Sequence, residues 1–183
     1  MEELVDCLRE AGAQTLVDVR RYPFSRRNPQ FNQPALAAAI EDAELGYVHA
    51  VELGGLREAV EGEELFPCLG QFASYAAHMR TPDWQEALDA ALAHPHPCFM
   101  CAETPWWRCH RRLIAEFLAA CGHEVLHLLG PGRVERHRTW DIAEYRDGKL
   151  LLCGNTVGPG RGWRLAPRVQ RPGPGERPAD PNR

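Results

Sequence analysis

The sequence predicts an α/β protein of three layers: a mostly parallel sheet of four to five strands, helices on both faces, and a disordered C-terminal tail. Three observations predict it. Short β-rich runs, TLVDVR (15–20), YVHAVEL (47–53), CFMCA (98–102) and EVLHLL (124–129), are separated by segments of helical periodicity, and strands alternating with helices argue for a parallel sheet. TLVDVR and its successors are strongly apolar, as strands covered on both faces are. At 183 residues the chain can bury one substantial core and is short for two domains.

Each element has its own signal. Met1 to Ala11 places Leu4, Val5 and Leu8 on one helical face and stops at Gly12, a residue suited to a left-handed cap. TLVDVR is the first strand. The segment RYPFSRRNPQFNQ is broken by Pro23 and Pro29, and a helix then opens at Pro34 and closes at Gly46. YVHAVEL is the second strand, ended by Gly54 and Gly55. Two helices follow, over residues 68–80 and 83–93; Thr81 caps the second, in which Trp84, Leu88 and Leu92 share a face. HPHP leads into CFMCA, the third strand. A helix over residues 108–121 buries Ile114, Phe117, Leu118 and Cys121 and stops at Gly122. EVLHLL is the fourth strand, and KLLLC (149–153) is the fifth. Residues 1–154 are expected to form a single α/β domain. Residues 155–183 are so dense in Pro, Gly and Arg that burial cannot offset the entropy of ordering them, which predicts a mostly disordered tail, disordered beyond about residue 157.

Bulk composition narrows the class of function. Hydrophobic residues are 44% and charged residues 25% of the chain, the balance of a soluble globular protein. No apolar stretch is long enough to cross a bilayer, so no membrane partner is expected. The start, MEELVDCLRE, is acidic where a signal peptide is basic and then apolar, which predicts a cytoplasmic protein. Seven cysteines, an odd number without disulfide-type spacing, read as reduced thiols. Net charge is −4; six arginines against two acids after residue 154 leave about −8 on the body. That is not the footprint of a dedicated nucleic-acid binder, and arginines clustered within an acidic body need a reason.

The densest chemistry is CAETPWWRCHRR (101–112). In a parallel α/β sheet the loops leaving the carboxyl ends of the strands converge on one crevice. That rule gathers Arg20, Arg21 and Ser25 after the first strand, Gly54, Gly55 and Arg57 after the second, and residues 101–112 after the third; His49 joins only if its strand ends early. Cys101, before a helix start that favours negative charge, is the first candidate nucleophile, and Cys109, in the first helical turn, is the second. Glu103 and His110 are candidate general acid–base groups. Arg108 and Arg111 would hold phosphate, sulfate or a carboxylate.

Structural roles compete with each of these. A cysteine at a strand end is often an inert small hydrophobe. His110 falls on the helical face of Ile114 and Cys121, where a satisfied, partly buried histidine fits equally well. Asp18 and Arg20 make a structural pair in preference to a catalytic one, and Trp106 and Trp107 a hydrophobic cover in preference to a stacking platform. His94, His96, His123, His127 and His137 have no evident partner. Cys101, Glu103, Cys109 and His110 are legitimate metal ligands, but their spacing matches no usual pattern, and adjacent Cys109 and His110 on a helix point about 100° apart. No metal and no cofactor are expected.

The stretches LVDVRRYPFSRRNPQF, YVHAVELGGLR, FASYAAHMRTPDW and above all CAETPWWRCHRRLIAEFLAACGHEVLHL resemble the bacterial and archaeal family called domain of unknown function 488, over residues 4–129. The resemblance carries over Asp18, Arg20, Pro23, Ser25, Phe31, His49, Gly54, Gly55, Cys101, Glu103, Cys109, His110 and Arg111 as matched motif positions, and implies no settled activity. Members usually begin with a further strand ending in a Gly-His-Ser-like turn. This sequence starts at the helix after it, through trimming or because this branch lacks the strand. A fainter likeness is to rhodanese and cysteine-phosphatase folds, which place an Asp-x-Arg strand before a Cys-led anion loop; the loop here is longer and lacks their glycines.

The leading expectation is an anion-binding protein, its ligand a nucleotide, a phosphorylated metabolite or a sulfur species. If an enzyme, it is a cysteine-dependent hydrolase or transferase. The rival expectations are a non-enzymatic nucleic-acid-binding module using Arg20, Arg26, Arg27, the tryptophans and the tail, and a metal-binding Cys/His protein. Oligomeric state is not legible in the sequence.

Overall fold

The computed structural model describes residues 1–146 and 149–158. Its centre is a parallel three-stranded sheet in the order β2-β1-β3, formed by β1 (Thr15–Asp18), β2 (Gly46–His49) and β3 (Pro97–Met100). Asp18 pairs with His49 on one side and Met100 on the other. The three strands therefore end level, and the chain leaves all three at one edge.

Successive side chains of β1 face opposite layers. Leu16 packs with Val5 and Leu8 of α1 (Glu2–Glu10) and with Leu36 and Ile40 of α2 (Gln33–Asp42). Val17 and Val19 enter a larger core with Tyr75 of α3 (Ala73–His78), Trp84 and Leu88 of α4 (Pro82–Leu92), and Leu113, Ile114 and Phe117 of α5 (Arg111–Ala120). Helices thus cover both faces, as the alternating pattern predicts. Thr81 does cap α4, its hydroxyl accepting from the Trp84 amide at 3.3 Å.

The later strands are placed differently from the expectation. EVLHLL does not widen the parallel sheet. It forms β4 (Leu126–Gly130), which turns back on β5 (Arg133–Arg136) as an antiparallel hairpin. The intervening Pro131-Gly132, with Gly132 at φ +64, allows the tight turn that antiparallel strands need and parallel strands cannot use. KLLLC becomes β7 (Lys149–Leu152), the middle of an antiparallel sheet between β6 (Ala143–Arg146) and β8 (Asn155–Gly158). RVER, AEYR and NTVG are too polar or short to stand out as strands, and each acquires its strand character from its neighbour.

Two further expectations are corrected. β8 lies beyond the boundary expected at residue 154, and its Val157 is part of the main core; the disordered tail expected beyond it, residues 159–183, lies outside the described residues. Cys68 and Cys153 form a disulfide across a sequence separation of 85, so the seven cysteines are not all reduced. A pairing over that separation leaves no spacing signal in a sequence, and the cysteine count no longer argues for a reducing compartment. Among the described residues, no helix is long and apolar enough to cross a membrane.

Candidate functional site

β2 ends at His49 rather than at Leu53, because Val51–Leu53 curls into a 3-10 turn. The early end sends Gly54 and Gly55 across the mouth of the parallel sheet. A Cβ on Gly55 would stand 2.2 Å from Nδ1 of His110, so the loop approaches that ring as only a glycine can. Tyr75 also packs on the ring, at 5.0 Å between centroids. Its hydroxyl donates to the Leu53 carbonyl at 2.9 Å and accepts from Trp84 Nε1 at 3.0 Å. The sequence analysis missed Tyr75, whose proximity to His110 is a product of packing across 35 residues of chain and leaves no local signature.

Residues 101–112 are not helical where the sequence suggests. Trp106–Arg108 make a 3-10 turn, Cys109 is extended at φ −120 and ψ 153, and α5 starts only at Arg111. With Cys109 outside the helix, the argument that its side chain diverges from His110 no longer applies. Cys109 Sγ lies 3.5 Å from His110 Nδ1 and Cys101 Sγ 4.0 Å from the same atom. All three atoms lie within 4.8 Å of one another. Cys109 and His110 are buried and Cys101 is half-buried.

Their electrostatics separate the two sulfurs. The Cys101 thiol donates toward Cys109, and His110 and the Arg111 amide at the start of α5 add to it. Together these hold the Cys109 thiol well below the ordinary cysteine range despite its burial. Cys101, whose hydrogen is engaged by Cys109 and which is itself buried, is pushed up. The environment therefore favours the charge on the sulfur that sequence reasoning ranks second.

The arginines expected to line the crevice have unequal fates. Arg20, 7% exposed, is clamped by Asp18 through Nε at 2.8 Å and a second nitrogen at 2.6 Å, and donates to the Phe31 carbonyl at 2.8 Å. Tyr47 donates to the same carboxylate at 2.8 Å. The expected Asp18–Arg20 structural pair is present. Arg57 donates to the carbonyls of Gly54, Val51 and Glu52 and organises the turn after β2. Ser25 accepts from the Asn28 amide and its own amide donates to Asn32, which shapes the first loop. His49 Nε2 lies 2.8 Å from the Arg20 carbonyl. Arg111 donates to the Glu103 carbonyl, while the side chains of Glu103 and Arg108 are at the exposed rim. Four buried nitrogens close together in sequence, Trp106 Nε1, His110 Nε2, Arg111 Nε and Arg112 Nε, have no hydrogen-bond partner among the described residues. Each such open donor ordinarily costs about 1–3 kcal/mol.

Residues 1–118 are matched by a family model described as Domain of unknown function DUF488. The chain belongs to the DUF488 family. The match takes in the parallel sheet and the whole Cys-Cys-His cluster. It ends within α5, short of the residue 129 reached by the motif resemblance. No curated protein and no solved structure matches.

Near the end of the DUF488 match a second polar cluster joins α5 to the antiparallel strands. Glu116, fully buried, accepts from the Trp140 amide at 2.7 Å and from the Tyr145 hydroxyl. His137 Nε2 stands 3.1 Å from the same carboxylate, close but not aligned as a hydrogen bond. His137 Nδ1 lies 3.0 Å from His127 Nε2, and the His127 ring stacks on Trp106 at 3.7 Å. His127 and His137, expected to lack partners, are partnered with each other; of the two tryptophans expected as a hydrophobic cover, Trp106 is buried against His127 and Trp107 is 47% exposed. Burial, then the neighbouring His137, push the His127 pKa down to about 4.

Proposed function

We propose that this DUF488 protein binds an anionic small molecule, a nucleotide or a phosphorylated or sulfur-containing ligand, with Cys101, Cys109 and His110 as its chemical centre. The observation that carries the reading is the convergence of those three reactive atoms at the mouth of the parallel sheet, from residues the sequence separates and the fold assembles. The open donors of His110 and Arg111 and the start of α5 supply partners for negative charge. In the metal-free protein this is a cysteine-dependent hydrolase or transferase: a cysteine sulfur bonds to the electrophilic atom of the bound anion as the bond to the leaving group breaks, His110 gives that group the proton it needs, water or an acceptor molecule then displaces the sulfur, and Glu103 and Arg108 contact the ligand from the rim.

Alkylation with iodoacetamide, followed by peptide mass mapping, tests it. In the metal-free protein Cys109 is expected to react faster than the same residue in urea-unfolded protein and Cys101 more slowly, and inorganic phosphate is expected to slow Cys109 but not Cys7. Equal rates folded and unfolded, with no protection by phosphate, would remove the reading.

A second reading has an observation of its own. Tyr22 and Phe24 are 67% and 69% exposed and are interleaved with Arg21, Arg26 and Arg27, the last two also exposed. Aromatic side chains among arginines make a stacking platform for single-stranded nucleic acid. Binding of a fluorescent oligonucleotide that falls steeply with salt, and that Y22A/F24A weakens, is expected on this reading; a flat salt response sinks it.

A further inference from the structure

We infer that Cys101, Cys109 and His110 are three ligands of one zinc ion, with the fourth coordination position open. The inference rests on the reading of these atoms as the centre of the site, and it assigns the two sulfurs as ligands in the metal-loaded protein, leaving free-thiol chemistry to the metal-free form.

Geometry carries it. In a tetrahedral zinc site with ordinary Zn–S and Zn–N bonds, a sulfur and a nitrogen ligand stand about 3.6 Å apart and two sulfurs about 3.8 Å. The sulfur-to-Nδ1 distances here are 3.5 and 4.0 Å, and all three atoms fall within 4.8 Å of one another. The two sulfur-to-nitrogen distances fit an ion to within a few tenths of an ångström, and the sulfurs, within 4.8 Å of each other, need to close by no more than about 1 Å to reach bonding distance. The sequence-level objection, that neighbouring residues 109 and 110 diverge on a helix, fails because Cys109 is extended.

The donor set decides which metal. Two sulfurs and an imidazole suit zinc, and without a carboxylate they suit neither magnesium nor calcium. The histidine is held before any metal arrives: Gly55 lies against one side of its ring and Tyr75 packs on it as well. Ligand orientation fixed in this way favours binding. Cys101 and Cys109 are both free thiols, whereas Cys68 and Cys153 are joined, so the ligand sulfurs are available.

Among the described residues, no fourth His, Cys, Asp or Glu belongs to the group. Structural zinc sites are closed by four protein ligands; sites with three keep a position for water or substrate. That position takes a water molecule or an oxygen of the proposed anion, with the Arg111 side chain nearby on α5.

The test uses the full chain, purified without a polyhistidine tag. Elemental analysis is expected to find about one zinc per chain, in keeping with a single three-ligand site. Cobalt(II) replacing it is expected to give visible bands of tetrahedral intensity and sulfur-to-cobalt charge transfer in the near ultraviolet. In competition with a chromophoric chelator, Cys109→Ser and His110→Ala are expected to weaken zinc by more than about 100-fold, beyond the loss typical of outer-shell changes, whereas Cys98→Ser and Cys68→Ser leave it unchanged. Failure of metal-free protein to take up zinc, or a cobalt spectrum without sulfur charge transfer, overturns the inference without needing any variant. Uptake that survives in folded Cys109→Ser overturns it equally. Phosphate protection of thiols in zinc-free protein reports separately on the proposed function, so protection without zinc uptake sinks the zinc site alone, and zinc uptake without protection sinks the anion reading alone.

Discussion

At its first turn α5 presents His110 to two sulfurs and leaves the Nε2 of that ring without a partner, whereas less than two turns further on Glu116 has both carboxylate oxygens engaged. One cluster stands just before the start of α5 and the other on it, and both are at least partly buried. They differ in what they leave open. Around Glu116 the Trp140 amide and the Tyr145 hydroxyl engage both carboxylate oxygens and tie the antiparallel strands to α5, with His137 alongside at 3.1 Å, and engaged polar groups of this kind rigidify a core. Around His110 the donors remain open and the sulfurs crowd one another. Unsatisfied or perturbed groups gathered in one place are the physical mark of a binding or chemical site. The family match sharpens the contrast, since it covers the open cluster entirely and stops two residues past Glu116.

The largest expected effect comes from breaking the closed network. Glu116→Ala strips the acceptor from Trp140 and Tyr145 and leaves both buried donors unpaired, and should cost about 3–5 kcal/mol in urea denaturation. The Cys101–Cys109–His110 cluster in the surviving folded fraction should be unaffected; loss of thiol protection by phosphate in folded Glu116→Ala would show that the two clusters are not separate.

Gly55→Ala acts on the open cluster instead. Its methyl group would overlap the His110 ring, with Cγ as well as Nδ1 within 2.4 Å. A loss of about 1–3 kcal/mol is expected from the overpacking, together with a change in alkylation rate at Cys101 and Cys109. Unchanged rates would mean that the position of His110 does not govern the sulfurs.

Acid should reach the closed network next. The folded pKa of His127, about 4, lies below its unfolded value of about 6.5, so the unfolded chain binds the proton more readily. The contribution is present above pH 6.5 and is lost as pH falls from there towards 4. The groups that bear on His127 are His137 and Arg111, which oppose its charge, and Glu116, which favours it. After solvent screening, about 1–2 kcal/mol should disappear over that window. His127→Gln should flatten the slope; an equal slope in the variant would assign it elsewhere.

The smallest effect is reserved for an exposed pair. Arg136 and Glu124 meet at 2.6 Å with side chains 80% and 59% exposed, and Arg136→Ala should change stability by no more than about 0.5 kcal/mol. A larger loss would mean that the hairpin depends on its surface charges, against the contrast drawn between buried and open groups.

Much of the parallel half is legible in the sequence because its signals are local. TLVDVR, CFMCA, Thr81 with Pro82, and the Gly54-Gly55 pair each carry their meaning within a few residues. The antiparallel part is not. RVER and NTVG become strands only when a neighbour pairs with them, and Glu116, which carries no signal of its own in the sequence, acquires its role from residues 137, 140 and 145. The disulfide between Cys68 and Cys153 is invisible for the same reason.

The amino-acid order alone settled the α/β class, the family, and the concentration of sulfur, imidazole and guanidinium groups within residues 101–112, since composition and periodicity are properties of the chain itself. Only the folded molecule decided which of those groups face one another. One backbone torsion pair at Cys109, a glycine too small to push His110 away, and carboxylates that claim Arg20 and His137 are outcomes of packing between distant segments, where steric and electrostatic fit is set by positions in space and not by neighbours along the chain.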